Sequence, residues 1–279
     1  MEAMEPSSAG GAVPILVHRP RKPLRLMAGV RLGGGNDGGA VRVGATVRRP
    51  VREWTPSVHE LLRHLEGKAF DGAPRVLGVD DDGCEILTYL DGDTVGAAQV
   101  WPPWTRTEDT LVQVARWLRS YHEVVADFRP SADARWRGGR RWAPGLVIGH
   151  NDASPFNAAH QDGRLTGFFD WDFAGPTTVD SDVASVALCW VPLHARHVAA
   201  SEGFTEFDAR PARLRRFLDA YGWTGRPEVI VEDVRAQLRE RAALIRRLGP
   251  TDTGLFARLL RRGVADDLDQ AVRDLDGFS

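Results

Sequence analysis

Cysteine and lysine are nearly missing from this chain. The two cysteines, Cys84 and Cys189, are too few for a disulfide framework or a four-cysteine zinc site, and they suit a reducing cytoplasm. All but two of the 36 lysine and arginine residues are arginine, the exceptions being Lys22 and Lys68. No run approaches the ~18–20 consecutive apolar residues of a membrane-spanning helix, which excludes a helical membrane protein. A formal net charge of −2 supplies no overall basic field for nucleic acid or an anionic membrane. The first twelve residues lack the apolar segment of a secretory signal. No internal repeat is visible.

What is present is an ordinary globular composition. The 279 residues are 43% hydrophobic and 27% charged, enough for one large domain or two lobes sharing a cleft. Residues 1–26, with Pro, Gly, Ser and a basic cluster, read as a flexible tail. Residues 27–92 carry β signals. Leu32-Gly33-Gly34-Gly35-Asn36-Asp37-Gly38-Gly39 is a flexible turn. Ala40–Val43 and Thr46–Arg49 read as a hairpin about Gly44-Ala45, and Pro74–Val79 and Cys84–Leu90 as a second about Asp80-Asp81-Asp82-Gly83. Between the hairpins Thr55-Pro56 opens a helix with Val58, Leu61, Leu62 and Leu65 at helical spacing. Helical patterns dominate from Val95 onward, over 108–126, 178–191, 211–221, 229–248 and 253–276. The expected fold is α+β, with a small β-rich region before a larger helical one, residues 93–279.

One non-helical island, residues 146–176, interrupts the helices. It reads Gly149-His150-Asn151-Asp152-Ala153-Ser154-Pro155-Phe156-Asn157, then Ala158–His160, a turn at Gln161-Asp162-Gly163, then Arg164–Phe169 and Asp170-Trp171-Asp172. The two short strands form an antiparallel hairpin. Asn157 enters it and Asp170 leaves it, so both lie at its open end, with Asp152 held just upstream. Two carboxylates and an amide on one spot are hard oxygen ligands of the kind Mg²⁺ uses while keeping water and phosphate as its other ligands. With a glycine loop and a basic strand residue, this is the equipment of phosphoryl transfer.

His150-Asn151-Asp152 followed by Asn157 resembles the H-x-D-x-x-x-x-N loop of the aminoglycoside phosphotransferase and choline kinase superfamily. Phe169-Asp170-Trp171 with Ala174-Gly175 resembles its metal motif, Asp182-Val183-Ala184 its Asp-Leu-Ala helix start, and Ser120-Tyr121-His122 its Leu-His helix end. The resemblance covers roughly residues 27–225 and implies a protein-kinase-like two-lobe fold. It implies a Mg²⁺-dependent kinase moving the γ-phosphoryl group of ATP or GTP to a hydroxyl of a small molecule. Asp152 would orient or deprotonate the acceptor; Asn157 and Asp170 would hold Mg²⁺. His150 would brace the loop, and Asp182 would tie it down. Asp172 would assist the metal or pair with a nearby arginine. Gly34 and Gly35 would belong to the nucleotide loop. Arg48 would be the strand cation, with Arg49 as its rival, since alternation sends one into the cleft and the other to solvent. Glu60, or a position near Val58, would supply the helix partner of that cation. Backbone groups of Thr88 and Leu90 would meet the purine at a hinge.

The expected protein is cytoplasmic, a monomer or homodimer, with no nucleic-acid or membrane partner. The alternative is a nucleotide-binding protein of weak or absent turnover, of the pseudokinase or immunity type. No A-P-E segment or activation loop follows Asp172, which speaks against a protein substrate. Trp101, Trp104, Trp190 and Trp223 could cage a quaternary ammonium, but core packing accounts for them as well. The acidic tail, Asp266, Asp267, Asp269, Asp274 and Asp276, reads as a solvated helix face.

Overall fold

Alternating apolar residues before and after the Gly44-Ala45 turn give β2 (Val41–Val43) and β3 (Thr46–Pro50), paired antiparallel, with Gly44 at φ 60°. This is the computed structural model of the chain, and it describes residues 29–32, 39–96, 98 and 100–278. The tail 1–26 and Gly34 and Gly35 lie outside the described residues.

β1 (Val30–Arg31), β4 (Val76–Val79) and β5 (Cys84–Thr88) complete a five-stranded antiparallel sheet of order β1-β2-β3-β5-β4. The Asp triplet is the turn between β4 and β5: Asp80 Oδ1 accepts from the N–H groups of Asp82 and Cys84 at 3.1 and 2.9 Å, an Asx-type turn. α1 (Thr55–Gly67) follows β3 and buries Val58, Leu61, Leu62 and Leu65.

α2 (Glu108–Val125) starts at Thr107, whose side chain accepts from Thr110 N–H, an N-cap bond. Its buried face continues the core of α1 through Leu111, Val114, Ala115 and Leu118. The island supplies two small ribbons. β6 (Val147–Gly149) pairs with β9 (Gly175–Thr177), and β7 (Ala158–Gln161) with β8 (Arg164–Phe168). β9 carries no strand signal of its own, because Gly175 and Pro176 are poor strand formers and only β6 recruits them.

Six more helices among the described residues close the fold: α3 (Val179–Trp190), α4 (Arg196–Ser201), α5 (Arg210–Tyr221), α6 (Pro227–Leu248), and then α7 (Leu255–Arg261) and α8 (Val264–Asp274). The pattern over 253–276 is two helices rather than one, because Gly263 takes φ 72° between them, a left-handed conformation that ends a helix. The acidic residues of α8 face outward toward arginine and histidine: Asp266 and Asp269 meet Arg246 at 2.7 Å each, and Asp267 meets His197 at 2.9 Å. Trp101 and Trp190 are buried core residues. Among the described residues no helix is long and apolar enough to cross a membrane. The fold is mixed α+β, a small antiparallel sheet region followed by a mainly helical part.

Candidate active site

The residues from His150 to Asn157 hang from the end of β6, and the local sequence explains their conformation. Asn151 sits at φ 59°, a region that Asn tolerates better than most residues. Its Nδ2 donates to the carbonyls of Phe173 and Gly175, both at 3.1 Å, which locks the loop to β9. Its backbone N–H donates to Asp182 Oδ1 at 3.2 Å. Asp182 is fully buried near the start of α3. Its other oxygen lies 3.0 Å from His122 Nε2, and His122 Nδ1 lies 2.8 Å from the Tyr221 hydroxyl. Gly149 is required here, since a Cβ would sit 2.7 Å from Asp182 Cγ. Asp182 therefore ties the loop to α2, α3 and α5 and stays away from the reacting groups. Asp182→Ala would leave a buried N–H and a buried imidazole without their acceptor. A loss of about 3 kcal/mol in urea denaturation is expected; a loss below about 1 kcal/mol would show that the loop does not depend on this tie.

His150 is fully buried against Trp171, with ring centroids 4.4 Å apart. Burial pushes its pKa down to about 4, so it is neutral at pH 7, and its Nδ1 accepts from Asp152 N–H at 3.3 Å. The 3-10 turn Pro155–Asn157 brings Asn157 back under Asp152. Asn157 Nδ2 donates to the Asp152 backbone carbonyl at 2.9 Å and to Asp152 Oδ2 at 2.8 Å. Trp190 steadies the same loop from α3, its indole N–H donating to Ala153 O at 2.8 Å. Burial, and next the charge of Asp170, push the Asp152 carboxyl up to about 6, against the opposing hydrogen bond from Asn157. A carboxylate with a pKa near the working pH suits a proton acceptor.

Asp170 follows the β7–β8 ribbon at φ 57°, and Phe169 N–H donates to Asn157 O at 2.9 Å, so the ribbon closes with both residues at one end. The Asp170 and Asp172 carboxylates are met by Arg49, through Nη1 to Asp170 Oδ1 at 3.0 Å and Nη2 to Asp172 Oδ1 at 2.9 Å. Asp172 Oδ2 also lies 3.4 Å from Arg137 Nη1. Asp172 thus has two arginine contacts, the pairing expected as one of its two roles. Its carboxyl is raised by burial despite the attraction of Arg49.

Arg49, not Arg48, is the strand cation in the cleft. In the β3–β5 register Arg49 lies opposite Glu85 and Arg48 opposite Ile86. Residues directly opposite share a face and neighbours alternate, so Arg48 is turned the other way, where it meets Asp80 at 3.3 Å. Arg49 Nε donates to Glu85 Oε1 at 2.7 Å, and Glu85 is almost completely buried. The helix contribution also differs from expectation. Glu60 accepts from Ser131 and Val58 is core. α1 instead presents His59, whose Nε2 lies 2.7 Å from Glu85 Oε2. The chain His59–Glu85–Arg49–Asp170/Asp172 replaces a simple strand-cation and helix-carboxylate pair. Burial alone would lower the Arg49 pKa, but attraction to Glu85, Asp172 and Asp170 outweighs it and raises it, so Arg49 stays charged.

The segment after β5 crosses to the rest of the chain. Thr88 N–H donates to Arg75 O at 2.9 Å and its Oγ1 accepts from Arg75 N–H at 2.8 Å. Leu90 is half-buried. Beyond it Asp93 pairs with His160 of β7, and Gly92 passes so close that a Cβ would meet the His160 backbone at 2.9 Å.

The side chains near Asp152 fit a divalent metal by the chemistry of their donors. With its Nδ2 committed to Asp152, Asn157 has its carbonyl oxygen left for a metal, and Asp170 has a second carboxylate oxygen. Among the described residues no group of three or more His, Cys, Asp and Glu is arranged to hold a metal.

The sequence profile described as phosphotransferase enzyme family matches residues 139–229, the stretch from just before β6 to the start of α6. A trifolitoxin immunity protein of Rhizobium leguminosarum bv. trifolii is 34% identical over 198 residues, covering 68% of this chain and 73% of the relative. The fold is similar to that of an amicoumacin kinase in complex with AMP-PNP and Ca²⁺, with a TM-score of 0.55 at 11% identity, over 83% of each chain. It is also similar to an ADP-bound aminoglycoside phosphotransferase, APH(2'')-Ib, with a TM-score of 0.50 at 12% identity, over 88% of this chain and 91% of that one. The loop, the ribbon and these likenesses agree, and the chain belongs to the phosphotransferase enzyme family.

Proposed function

We propose that this protein is a small-molecule kinase. Its acceptor hydroxyl oxygen attacks the γ-phosphorus of ATP or GTP, the bond from that phosphorus to its bridging oxygen breaks, and the nucleoside diphosphate departs. Asp152 orients the hydroxyl and takes its proton. Asn157 and Asp170 are the ligands for Mg²⁺, which when bound supplies charge neutralisation to the phosphates. Gly34 and Gly35 cover the phosphates, and the Thr88 and Leu90 backbone meets the purine. Residues 27–92 and 93–279 act as the two lobes of a cytoplasmic monomer or homodimer that takes no nucleic-acid or membrane partner. The observation that carries this reading is the Asp152–Asn157 pair at 2.8 Å beside Asp170, at the open end of one ribbon.

Thermal stability against ATP and GTP, each with and without Mg²⁺, tests it. A ligand at about 100 times its Kd adds ~2.7 kcal/mol to the folded state. A rise in Tm that needs both nucleotide and metal is expected. No rise with either nucleotide would overturn the reading.

A second reading has its own observations: a relative named as an immunity protein, and a guanidinium already bound to the Asp170 carboxylate. The protein would then bind nucleotide and turn it over slowly or not at all. Metal-dependent binding without phosphoryl transfer to any of a broad panel of hydroxyl acceptors would favour it.

A further inference from the structure

Buried arginines usually carry a carboxylate with them, because the desolvated charge is otherwise uncompensated. Two arginines of α5 depart from that rule together. Arg210 is 2% exposed. Its Nε and Nη1 reach only the carbonyls of Phe207 and Pro192, at 3.2 and 3.4 Å, and its guanidinium lies over the Phe207 and Phe278 rings. Arg213 donates from Nε to Trp190 O and from Nη1 to Arg106 O, both at 2.9 Å. Its Nη2 is buried and has no hydrogen-bond partner among the described residues. Neither arginine forms an ion pair with a described residue.

Both line the same cavity of about 590 Å³, between the start of α2 and the α4–α5 segment. Arg106 and Arg216 add two more guanidinium groups to its wall, and Leu111 and Phe204 give it an apolar side. Its two carboxylates do not neutralise it: Glu108 is held by Arg216 at 2.7 Å, and Glu206 is exposed. Burial lowers the Arg213 pKa to about 10, so the side chain remains cationic at neutral pH. A volume of this size, an apolar wall and convergent donors are the features of a small-molecule pocket. Asp152, Asn157 and Asp170 do not line it.

We propose that this cavity is a binding site for a small organic anion, a molecule with a carboxylate or phosphate group on an apolar body, and that Arg213 is its anchor. The oxyanion is held among the Arg213, Arg106 and Arg216 guanidinium groups, and the apolar body rests on Phe204. The site stands apart from the phosphoryl-transfer residues and does not depend on the reading of them. Trp190 joins the two places. Its carbonyl accepts from Arg213, and its indole N–H donates to the Ala153 carbonyl next to Asp152, so Arg213 connects an anion bound here to the support of that loop.

Titration calorimetry with phenyl phosphate and with benzoate, and with benzyl alcohol as the neutral control, tests the site. At least one of the two anions is expected to bind the wild-type protein and the alcohol to fail; which anion binds separates phosphate from carboxylate. Arg213→Met should weaken that binding at least tenfold. In ligand-free buffer the same variant gives up two hydrogen bonds, to Trp190 O and Arg106 O, so its binding is read well below its own melting temperature. Ala212→Trp fills the cavity from an exposed position that lines it without touching an arginine, and should also block the anion. This variant carries the test should Arg213→Met not fold. Failure of both anions to bind, equal affinity in both variants, or displacement of the anion by ATP from the catalytic cleft would each overturn the proposal.

Discussion

Asp152→Asn is expected to lower the rate of phosphoryl transfer by about 10²–10⁴-fold, the range for loss of a positioned proton acceptor. The substitution keeps the shape and an oxygen to accept from Asn157 Nδ2, so the loop geometry at 2.8 Å is preserved and nucleotide affinity should hold. Its effect on stability has a definite sign. The wild-type carboxyl is raised to about 6 by burial and by Asp170. Ionising it in the folded state is thus harder than in the unfolded chain, where the pKa is about 3.9. That penalty is fully present above pH 6, shrinks as pH falls from 6 toward 4, and is gone below. In metal-free buffer Asp152→Asn should therefore be more stable than wild type at pH 8, by up to about 3 kcal/mol. The two should converge near pH 4. Urea denaturation at both pH values reads this, and an amide variant that is less stable at pH 8 would remove the argument for a strained carboxylate. Wild-type turnover in the variant would remove Asp152 from the chemistry.

Arg49→Met should be the most damaging change to the framework of the site. It leaves Glu85, only 1% exposed, with His59 as its remaining partner, and takes one contact each from Asp170 and Asp172. Removing one member of a buried ion network costs about 3–5 kcal/mol, because the others stay behind uncompensated. For a chain of this size that corresponds to a fall in Tm on the order of 10 °C. Arg119→Met is the matched control. It breaks an exposed, solvent-screened pair one helical turn long, Arg119 with Glu123 at 2.6 Å, and should leave Tm nearly unchanged. Scanning calorimetry on both variants separates the two situations. A similar small shift for Arg49→Met would mean that the network is solvated in solution and holds nothing together.

The cluster of Asp152, Asn157 and Asp170 was readable because its members are close in sequence. Asp152, Asn157 and Asp170 span 19 positions, and the hairpin between Asn157 and Asp170 follows from a turn and two short strands, all local signals. The helices were readable for the same reason: α2, α3, α5 and α6 each bury one face at regular spacing. The misplaced residue was Arg48. Strand alternation separates it from Arg49, yet nothing in Val47-Arg48-Arg49 says which face looks inward. That choice is made by the register with β5, where Arg49 meets Glu85, 36 residues away. His59 was overlooked because a histidine beside Val58 and Glu60 has no local mark of a buried partner.

The sequence by itself determined the α+β class, the positions of most elements and the group of hard oxygen donors, since propensity, turn chemistry and short-range spacing are properties of neighbouring residues. The tertiary structure alone decided which arginine faces Asp170, what stands behind it, and that Arg210 and Arg213 line one cavity with no acidic partner among the described residues. Those outcomes depend on strand register and on burial, which arise only when distant segments pack and desolvate one another.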